Sequence, residues 1–449
     1  MRYLVATLTL LALASCAAND SRDQAEVQLE CRAGLYRNDA GELLALTPLT
    51  SGGYRWRTLD GRTSALKHDG SAWRSLRGWT NELDGLAADL SACSDGELRL
   101  GQPDALTTYR YTPIETTDTT FERDGVTLAG RLLTPNGAEP APLVVFVHGS
   151  GSYSALQHES YPWLLAAEGI NVFVYDKRGT GASGGEYTQD FDVLSADARA
   201  ALTQARQLAG ARASTAGFMG ASQGGWVAPL AASRADVDFT VVLYGLAESP
   251  LAENRNEVVQ GMARAGWGQE EQAKAAALAD ASGEIIASNF REGFGEFDRL
   301  RREYRNEPWY DDVEGEFTGE MLPYPSIALR LVGPSRNRGT SWRYEPVPVL
   351  RALETPQFWV IAADDTEAPP AETIARIRAL QAEGRPIDLA IYPDSDHGMI
   401  LQERNGDDVR EIGHVRDYFR QIAAWIKARD LSYARAAGAE VTPATSAVP

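Results

Sequence analysis

Basic residues are scarce in this chain. Its 449 residues contain 43 lysines and arginines against 62 aspartates and glutamates, which gives a formal net charge of −19, and no block of basic residues interrupts the acidic background. Proteins that bind nucleic acid need a basic face to neutralise phosphates. The composition therefore argues against a nucleic-acid partner.

The apolar run at the start of the chain is too short to span a bilayer. A transmembrane helix needs about 20 apolar residues, and here the run from Tyr3 ends before Cys16. A basic start followed by a short apolar run is typical of a secretory targeting segment. We therefore predict that residues 1–15 are a signal peptide and that residues 16–25 are a linker.

The targeting segment ends in Leu13-Ala-Ser-Cys16, which resembles the lipobox of bacterial lipoproteins. In that family the cysteine is lipidated and becomes the new N-terminus, so the resemblance implies that Cys16 carries a lipid anchor in the bacterial envelope. By the family's sorting rule, Ala17 rather than an aspartate implies the periplasmic face of the outer membrane. An ordinary secretory signal with a coincidental cysteine is the alternative.

Cysteine is rare, with 3 in the whole sequence. Once Cys16 is set aside, Cys31 and Cys93 remain as an even pair in an oxidising compartment. We expect them to form a disulfide, which would close a loop of ~60 residues and stabilise the folded chain by roughly 4 kcal/mol. Two unpaired buried thiols are the alternative.

The chain after the linker divides into four regions of different sequence pattern. Residues 26–112 hold short alternating runs broken by Asp-Gly and Gly-Gly turns, which predicts a small all-β module. In 118–246 and 340–430 short apolar strands alternate with helices, which predicts an α/β domain whose mostly parallel sheet has helices on both faces. The charged, helix-rich stretch 247–339 is interpreted as an inserted helical lid. Residues 431–449, rich in Ala, Thr and Pro, are expected to be disordered.

Two helices matter for the site. The clearest lid helix is predicted from Glu257 to Ala281, and the closing helix from about Val409 to Ala428 would contain His414. Aromatic side chains of the lid could either wall an apolar acyl pocket or hold the lid helices together. They are Trp267, Phe290, Phe294, Trp309 and Tyr310.

Ser222 is the candidate nucleophile. It lies in Gly220-Ala-Ser-Gln-Gly224, between the apolar Ala216 to Met219 and the apolar run that begins at Trp226. A strand that turns sharply into a helix at a serine exposes its hydroxyl to a base. Gly181-Ala-Ser-Gly-Gly185 matches the same pattern, but loop-like sequence flanks it on both sides, so we interpret Ser183 as a loop residue.

Only five histidines compete to be the base that such a serine needs. His397 follows the strand Asp388 to Tyr392 directly, where ligands gather in an open α/β sheet. The acid that orients it is expected after the preceding strand, where Asp364, Asp365 and Glu367 compete, and Asp365 occupies the favoured position.

A glycine-rich turn, His148-Gly-Ser-Gly151, follows the strand Leu143 to Val147. Such a turn frees backbone N–H groups close to the nucleophile. We expect the N–H groups of Ser150 and Gln223 to form an oxyanion hole, with His148 as scaffold. A turn with no catalytic duty is the alternative.

The order Ser222, Asp365, His397 resembles that of the α/β-hydrolase superfamily. His148-Gly-Ser-Gly151 is similar to its oxyanion loop, Asp176 to Ser183 to its Arg-Gly-x-Gly-x-Ser turn, and Asp396-His-Gly398 to its histidine loop. Within the superfamily the chain looks most like the serine aminopeptidase/monoacylglycerol-lipase-like and dienelactone-hydrolase-like esterase branch. The resemblance implies the α/β-hydrolase fold with an inserted lid, the separate β module being additional.

The expected function is that of a cell-envelope serine hydrolase that cleaves carboxylic esters, with a small-molecule ester or a short peptide as substrate and no metal or cofactor. The alternative is a serine exopeptidase with the same triad, whose lid would supply a carboxylate for a free ammonium. Candidates for that carboxylate are Glu248, Glu253 and Glu257. A non-catalytic envelope binding protein on a hydrolase scaffold is a third interpretation.

Overall fold

The computed structural model describes residues 31–137, 139–406 and 408–444. The predicted signal peptide, the linker to residue 25 and the lipidation site at Cys16 lie outside the described residues. Within the described ranges, no helix combines the length and the apolar character that crossing a membrane requires.

The N-terminal module is a closed antiparallel barrel of eight strands in sequential order. Leu35 to Arg37 of the first strand pair with both the second and the eighth strand, and this pairing closes the barrel. The strands are β1 (Gly34–Arg37), β2 (Leu43–Pro48), β3 (Tyr54–Thr58), β4 (Thr63–His68), β5 (Trp73–Arg77), β6 (Leu83–Asp89), β7 (Glu97–Gln102) and β8 (Ala105–Thr112).

Aromatic and aliphatic side chains fill the barrel. Tyr36, Tyr54 and Trp56 are buried in one cluster with leucines of the second, fourth and seventh strands. Cys31 and Cys93 form a disulfide, and the Cys93 side chain belongs to the same cluster. Tyr36, Tyr54 and Trp56 therefore serve as the core of a small domain that buries limited apolar surface by itself.

The second domain is built on a nine-stranded sheet in the order β20-β16-β15-β14-β13-β11-β12-β10-β9. The strands from β12 to β16 in this order run parallel, and β9, β10 and β20 are antiparallel to their neighbours. They are β9 (Glu115–Arg123), β10 (Val126–Thr134), β11 (Ala141–Val147), β12 (Asn171–Tyr175), β13 (Ala213–Ala221), β14 (Phe239–Leu243), β15 (Gln357–Ala362), β16 (Ile387–Tyr392) and, after three short strands of a separate sheet, β20 (Glu440–Thr442).

Helices cover both faces of this sheet, which is why its central strands are apolar throughout. Separate buried clusters lie on the two faces. The helices are α1 (Ala155–His158), α2 (Tyr161–Ala167), α3 (Phe191–Ala209) and α4 (Gly224–Ala232) before the lid, and α9 (Val347–Ala352), α10 (Ala371–Ala382), α11 (Tyr418–Ala428) and α12 (Ser432–Ala436) after it. The expected α/β domain with a separate all-β module is confirmed.

The lid inserted after β14 has a core of its own. Its helices are α5 (Pro250–Arg264), α6 (Gln269–Ala287), α7 (Phe294–Tyr304) and α8 (Ser326–Arg336). The single helix predicted from Glu257 to Ala281 is in fact two, because Gly266 adopts a φ of +88° in the left-handed region and ends the first of them.

The aromatic residues singled out in the lid belong to the lid's own core. Phe290, Phe294 and Trp309 are buried there, and Trp267 and Tyr310 pack against them. They hold the lid helices together, which is the second of the two interpretations above.

Two expectations about the C-terminal part are wrong. Residues 408–414, predicted to begin the closing helix, form a strand, so His414 lies in a hairpin and the helix starts only at Tyr418. The hairpin comprises β17 (Ser395–Asp396), β18 (Ile400–Asn405) and β19 (Asp408–His414). Residues 431–449 were expected to be disordered, but residues 431–444 contain α12 and β20, and β20 pairs with β16. Residues 445–449 lie outside the described residues.

This hairpin joins the two domains. The backbone N–H of His414 donates to the carbonyl of Gly61 at 2.9 Å, and that of Trp79 donates to the carbonyl of Glu411 at 2.9 Å. The ring of His414 packs edge to face on Trp79, with centroids 4.9 Å apart. Because β17 precedes His397 directly and β18 begins three residues after it, the barrel is built against the segment that carries the candidate base.

Candidate active site

Ser222 lies on the turn between β13 and α4, as the sequence predicts. Its φ is +52°, a strained value for a residue with a side chain. The turn is so tight that a Cβ on Gly220 would lie 1.9 Å from the carbonyl oxygen of Gly224. Glycine is therefore required at position 220, and the turn projects the Ser222 hydroxyl from the carboxyl edge of the sheet.

The structure brings Ser222, His397 and Asp365 together. His397 Nε2 lies 3.1 Å from Ser222 Oγ, and His397 Nδ1 lies 2.9 Å from Asp365 Oδ2. The other oxygen, Asp365 Oδ1, accepts from the N–H groups of Glu367 and Ala368. Asp365 is 2% exposed, so its carboxylate is fixed from both sides and holds the imidazole with one nitrogen toward the serine.

Asp364, the competing acid, points elsewhere. Its backbone N–H donates to Ser395 O at 3.0 Å. Its carboxylate is 3.9 Å from the Arg404 guanidinium and is 43% exposed. The geometry favours Asp365 as the partner of His397.

Three carboxylates surround the His397 ring. Burial acts to lower the pKa of His397, but the hydrogen bond and charge of Asp365, together with the charges of Glu367 and Asp396, raise it above its ordinary value. Glu367 Oε1 is 3.6 Å from the same Nε2 atom that faces Ser222. Asp396 accepts hydrogen bonds from Thr366, Gln402 and the His397 backbone, so it shapes the loop.

The predicted oxyanion loop lies against the serine. A Cβ on Gly149 would lie 3.2 Å from the Ser222 Cβ, so glycine gives this approach room that a side chain would restrict. Among the described residues, neither the N–H of Ser150 nor that of Gln223 donates to another group of the chain. Both donors are therefore available to a ligand oxygen close to Ser222.

His148 is part of the scaffold of this loop. Burial, together with the charge of Lys177, holds the pKa of His148 well below its ordinary value. Its ring packs against Tyr153 with centroids 5.1 Å apart. His148 is therefore a neutral, buried ring away from the Ser222–His397 pair.

Ser183, in the second copy of the serine pattern, is a structural residue. Its hydroxyl donates to the carbonyl of Asp176 at 2.6 Å and accepts from the N–H of Ala129 at 2.9 Å. The Asp176 carboxylate accepts from Ser154, Leu156 and Ala182. This loop is thus folded by its own hydrogen bonds, which fully engage the Ser183 hydroxyl.

A cavity of about 360 Å³ opens at Ser222. Polar and acidic side chains dominate its wall, including Tyr153, Glu159, Tyr244, Glu367 and Glu411. Tyr244 packs edge to face on the His397 ring with centroids 5.0 Å apart. A larger cleft of about 860 Å³ adjoins it, shares Thr366, Asp396 and Glu411 with it, and is bordered by the barrel loop 79–82.

Two of the three lid glutamates considered for an ammonium lie near this cavity. Burial, with the charges of Glu316, Glu367 and Glu257, raises the pKa of Glu253 well above its ordinary value. Burial also raises the pKa of Glu257 to about 7. Glu248 lies apart from them, buried at the base of the lid with Asn256 donating to its Oε2 at 2.9 Å.

Residues 144–412, more than half of the chain, match the model of the alpha/beta hydrolase family. The chain belongs to this family. The matched range includes Ser222, Asp365 and His397 and leaves the barrel outside.

Individual relatives are distant. Dipeptidyl aminopeptidase BIII of Pseudoxanthomonas mexicana is 29% identical over 84 residues, which is 18% of this chain and 12% of that protein. Among solved structures, an esterase of Pyrococcus furiosus is 18% identical with a TM-score of 0.41, covering 63% of this chain and 84% of its own. An acylaminoacyl peptidase of Pyrococcus horikoshii is 14% identical with a TM-score of 0.39, covering 82% of this chain and 52% of its own.

Sequence reasoning missed several residues of the site. Tyr244 directly follows β14, so its place at the carboxyl edge of a parallel strand was a usable signal. Lys177 lies two residues after β12, at the same edge of the sheet. Tyr153 and Glu159 lie in a loop and a short helix end, where the sequence carries no comparable signal.

Proposed function

We propose that this hydrolase cleaves carboxylic esters through a Ser-His-Asp triad and an acyl-enzyme intermediate. The observation that carries the proposal is the chain of contacts from Ser222 Oγ through His397 to Asp365, at 3.1 Å and 2.9 Å. A serine hydroxyl becomes a useful nucleophile when a base takes its proton as it attacks. The substrate is a small molecule or a short peptide that fits the cavity at Ser222.

In the acylation step, Ser222 Oγ attacks the carbonyl carbon while His397 Nε2 removes the hydroxyl proton. Asp365 holds the Nδ1–H of His397, which fixes the tautomer and stabilises the imidazolium as it forms. The carbonyl oxygen gains negative charge within reach of the N–H groups of Ser150 and Gln223. His397 then gives its proton to the departing alcohol as the tetrahedral intermediate collapses.

Deacylation repeats these steps with water. His397 removes a proton from a water molecule that attacks the acyl carbon, and it returns that proton to Ser222 Oγ when the acid leaves. The carboxylates near His397 favour the imidazolium that forms in both steps. None of these steps calls on a metal ion or a cofactor.

Hydrolysis of p-nitrophenyl acyl esters by the purified protein tests the proposal. Ser222→Ala should lower the rate by a factor of at least ~10³. Ser183→Ala is the matched control, because Ser183 has the same sequence pattern but its hydroxyl is engaged within the loop. The reverse result, in which Ser183 is essential and Ser222 is dispensable, contradicts the assignment. If no fluorophosphonate probe labels the protein, the interpretation as a non-catalytic binding protein is favoured instead.

A serine exopeptidase is the second candidate, and the lid favours it. Glu253 and Glu257 are near enough to Glu367 for their charges to interact, and Glu367 lies beside His397. An ammonium group in this place would be paired with carboxylates that otherwise repel one another. Comparing aminoacyl-arylamides with esters separates the two candidates, since cleavage of arylamides alone favours the peptidase.

We also propose that the protein is secreted and anchored by a lipid at Cys16 to the periplasmic face of the bacterial outer membrane. The sequence Leu13-Ala-Ser-Cys16 followed by Ala17 supports this proposal. In cell fractions, the wild-type chain should sediment with the outer membrane, and Cys16→Ala should either remain unprocessed or appear in the soluble fraction. A wild-type chain that is processed and fully soluble would show that the cysteine is coincidental.

A further inference from the structure

Lys177 is a fully buried lysine next to the proposed oxyanion donors. It lies two residues after the end of β12 and is 0% exposed. Its Nζ donates to the carbonyl oxygen of Gly149 at 2.8 Å and to Gln223 Oε1 at 2.9 Å. A lysine ammonium is rarely fully buried, because desolvation of its charge is costly.

The two partners of Lys177 belong to the two proposed donors. The Gly149 carbonyl is part of the same peptide group as the N–H of Ser150. A charged donor on the oxygen of a peptide draws electron density from its nitrogen and makes the N–H a stronger hydrogen-bond donor. The second contact holds the side chain of Gln223, whose backbone supplies the other N–H.

The loop around Lys177 is fixed independently of these contacts. Thr180 donates to the Lys177 carbonyl from both its backbone N–H and its hydroxyl, at 3.0 and 2.8 Å. Arg178 forms a bidentate ion pair with the buried Asp197. Lys177 therefore extends from a rigid base, and its amine links the loop after β11 to the residue that follows Ser222.

We propose that Lys177 is a positioning residue that orients and polarises the oxyanion donors of Ser150 and Gln223. The inference rests on the proposed hydrolase function. Lys177 itself touches no reacting atom, and its effect is exerted when charge develops on the substrate carbonyl oxygen.

The charge on Lys177 depends on its surroundings. Burial lowers the pKa of Lys177 to about 7, and the negative charge of Glu159 opposes this shift. The other titratable group that faces it is His148, which is neutral because burial and Lys177 both lower its pKa. The ammonium form is therefore present at and below neutral pH and is lost as the pH rises through about 7.

Lys177→Met tests the inference, because methionine keeps most of the volume and removes the donor. We expect kcat for a p-nitrophenyl ester to fall by about 10-fold to 100-fold, less than the ~10²-fold to 10³-fold expected for loss of a donor itself. KM should change little. The inhibition constant of a boronic acid, whose tetrahedral adduct places an oxygen at the donors, should rise by the same factor as kcat/KM falls.

Arg178→Met is the matched control. It removes a cation of the same loop that pairs with the buried Asp197 and contacts neither Gly149 nor Gln223, so it should lower the melting temperature without lowering kcat for each active site. Active sites are counted in each variant by complete fluorophosphonate labelling. A Lys177→Met variant whose kcat is unchanged, or whose only change is in KM, overturns the inference while Ser222→Ala still tests the hydrolase itself.

The pH dependence of the wild-type protein gives a second test, which does not depend on a variant folding correctly. Its kcat should reach a maximum near neutral pH and then decline as Lys177 loses its charge, whereas loss of the proton from His397 alone would leave a plateau. A kcat that stays level from pH 7 to pH 9 overturns the inference.

Discussion

Asp365 and His397 are 32 positions apart in the chain, and their side chains meet at 2.9 Å. They follow β15 and β16, which are neighbouring parallel strands. Because the carboxyl ends of parallel strands open at the same edge of the sheet, the loops after them face each other there. The sheet itself thus places the acid beside the histidine.

This pairing predicts different outcomes for two adjacent aspartates. Asp365→Asn should lower kcat by a factor of about 10³ to 10⁴, because an amide in this place favours the wrong tautomer of His397. Asp364→Asn is the matched control and should change kcat less than about threefold, since its carboxylate is partly exposed and contacts Arg404. Steady-state ester hydrolysis measures kcat for both variants. A larger loss of kcat in Asp364→Asn than in Asp365→Asn would mean that Asp364 is the acid of the triad.

The charges around His397 predict a pH profile. The base must be neutral to accept the serine proton, so kcat/KM should rise with pH through the pKa of His397, which lies above its ordinary value. Glu367→Gln removes one of the charges that raise this pKa, and the acidic limb should move to lower pH. A pH profile of kcat/KM for both forms measures the shift, and an acidic limb that does not move would exclude Glu367 as a neighbour of the working base.

The lid glutamates predict a preference among substrates if the exopeptidase candidate is right. Glu257→Gln should raise KM for aminoacyl-arylamides with a free amine by about tenfold, the effect of one charge-assisted contact. The same substrates with an acetylated amine serve as the control and should be unaffected. Equal changes for free and blocked substrates would mean that Glu257 does not contact the amine.

Glu248 predicts a pH-dependent stability. It is 1% exposed, its Oε1 has no hydrogen-bond partner within the described ranges, and burial raises its pKa to about 7. Between its unfolded pKa near 4.5 and about 7, the folded state binds more protons than the unfolded state, so stability falls as the pH rises through this window.

Glu248→Gln keeps the shape and removes this titration. At pH 8 the variant should be more stable than the wild type by on the order of 2 kcal/mol. At pH 4 the two should be nearly equal. Urea unfolding at both values measures the difference, and a variant that is less stable at pH 8 would show that the carboxylate has a partner that the amide cannot replace.

The residues of the candidate site could be predicted from the sequence more accurately than the helices of the lid or the C-terminal hairpin. Ser222 and His397 each follow an apolar strand, and such strands are recognisable because both of their faces are buried. The sequence could not decide between Asp364 and Asp365. Neighbouring side chains in a loop point in directions that depend on the backbone angles, and these angles cannot be read from the sequence.

The misplaced elements have a common physical cause. Residues 408–414 form a strand because they pair with β18 and because the Glu411 carbonyl accepts a hydrogen bond from Trp79 of the barrel. Such tertiary contacts override a weak local preference for helix. The break between α5 and α6 depends on one glycine with positive φ. The contacts of Lys177 with Gly149 and Gln223 join segments that are distant in the sequence, so they could not be predicted from it either.

Strand β20 gives the C-terminal residues a protective role. It pairs along Leu389, Ala390 and Ile391 of β16, whose backbone groups would otherwise form an open sheet edge. An unpaired edge of this kind is a template for addition of a strand from another molecule. Proteolytic loss of residues beyond 430 would therefore expose this edge and make the sheet a template for aggregation.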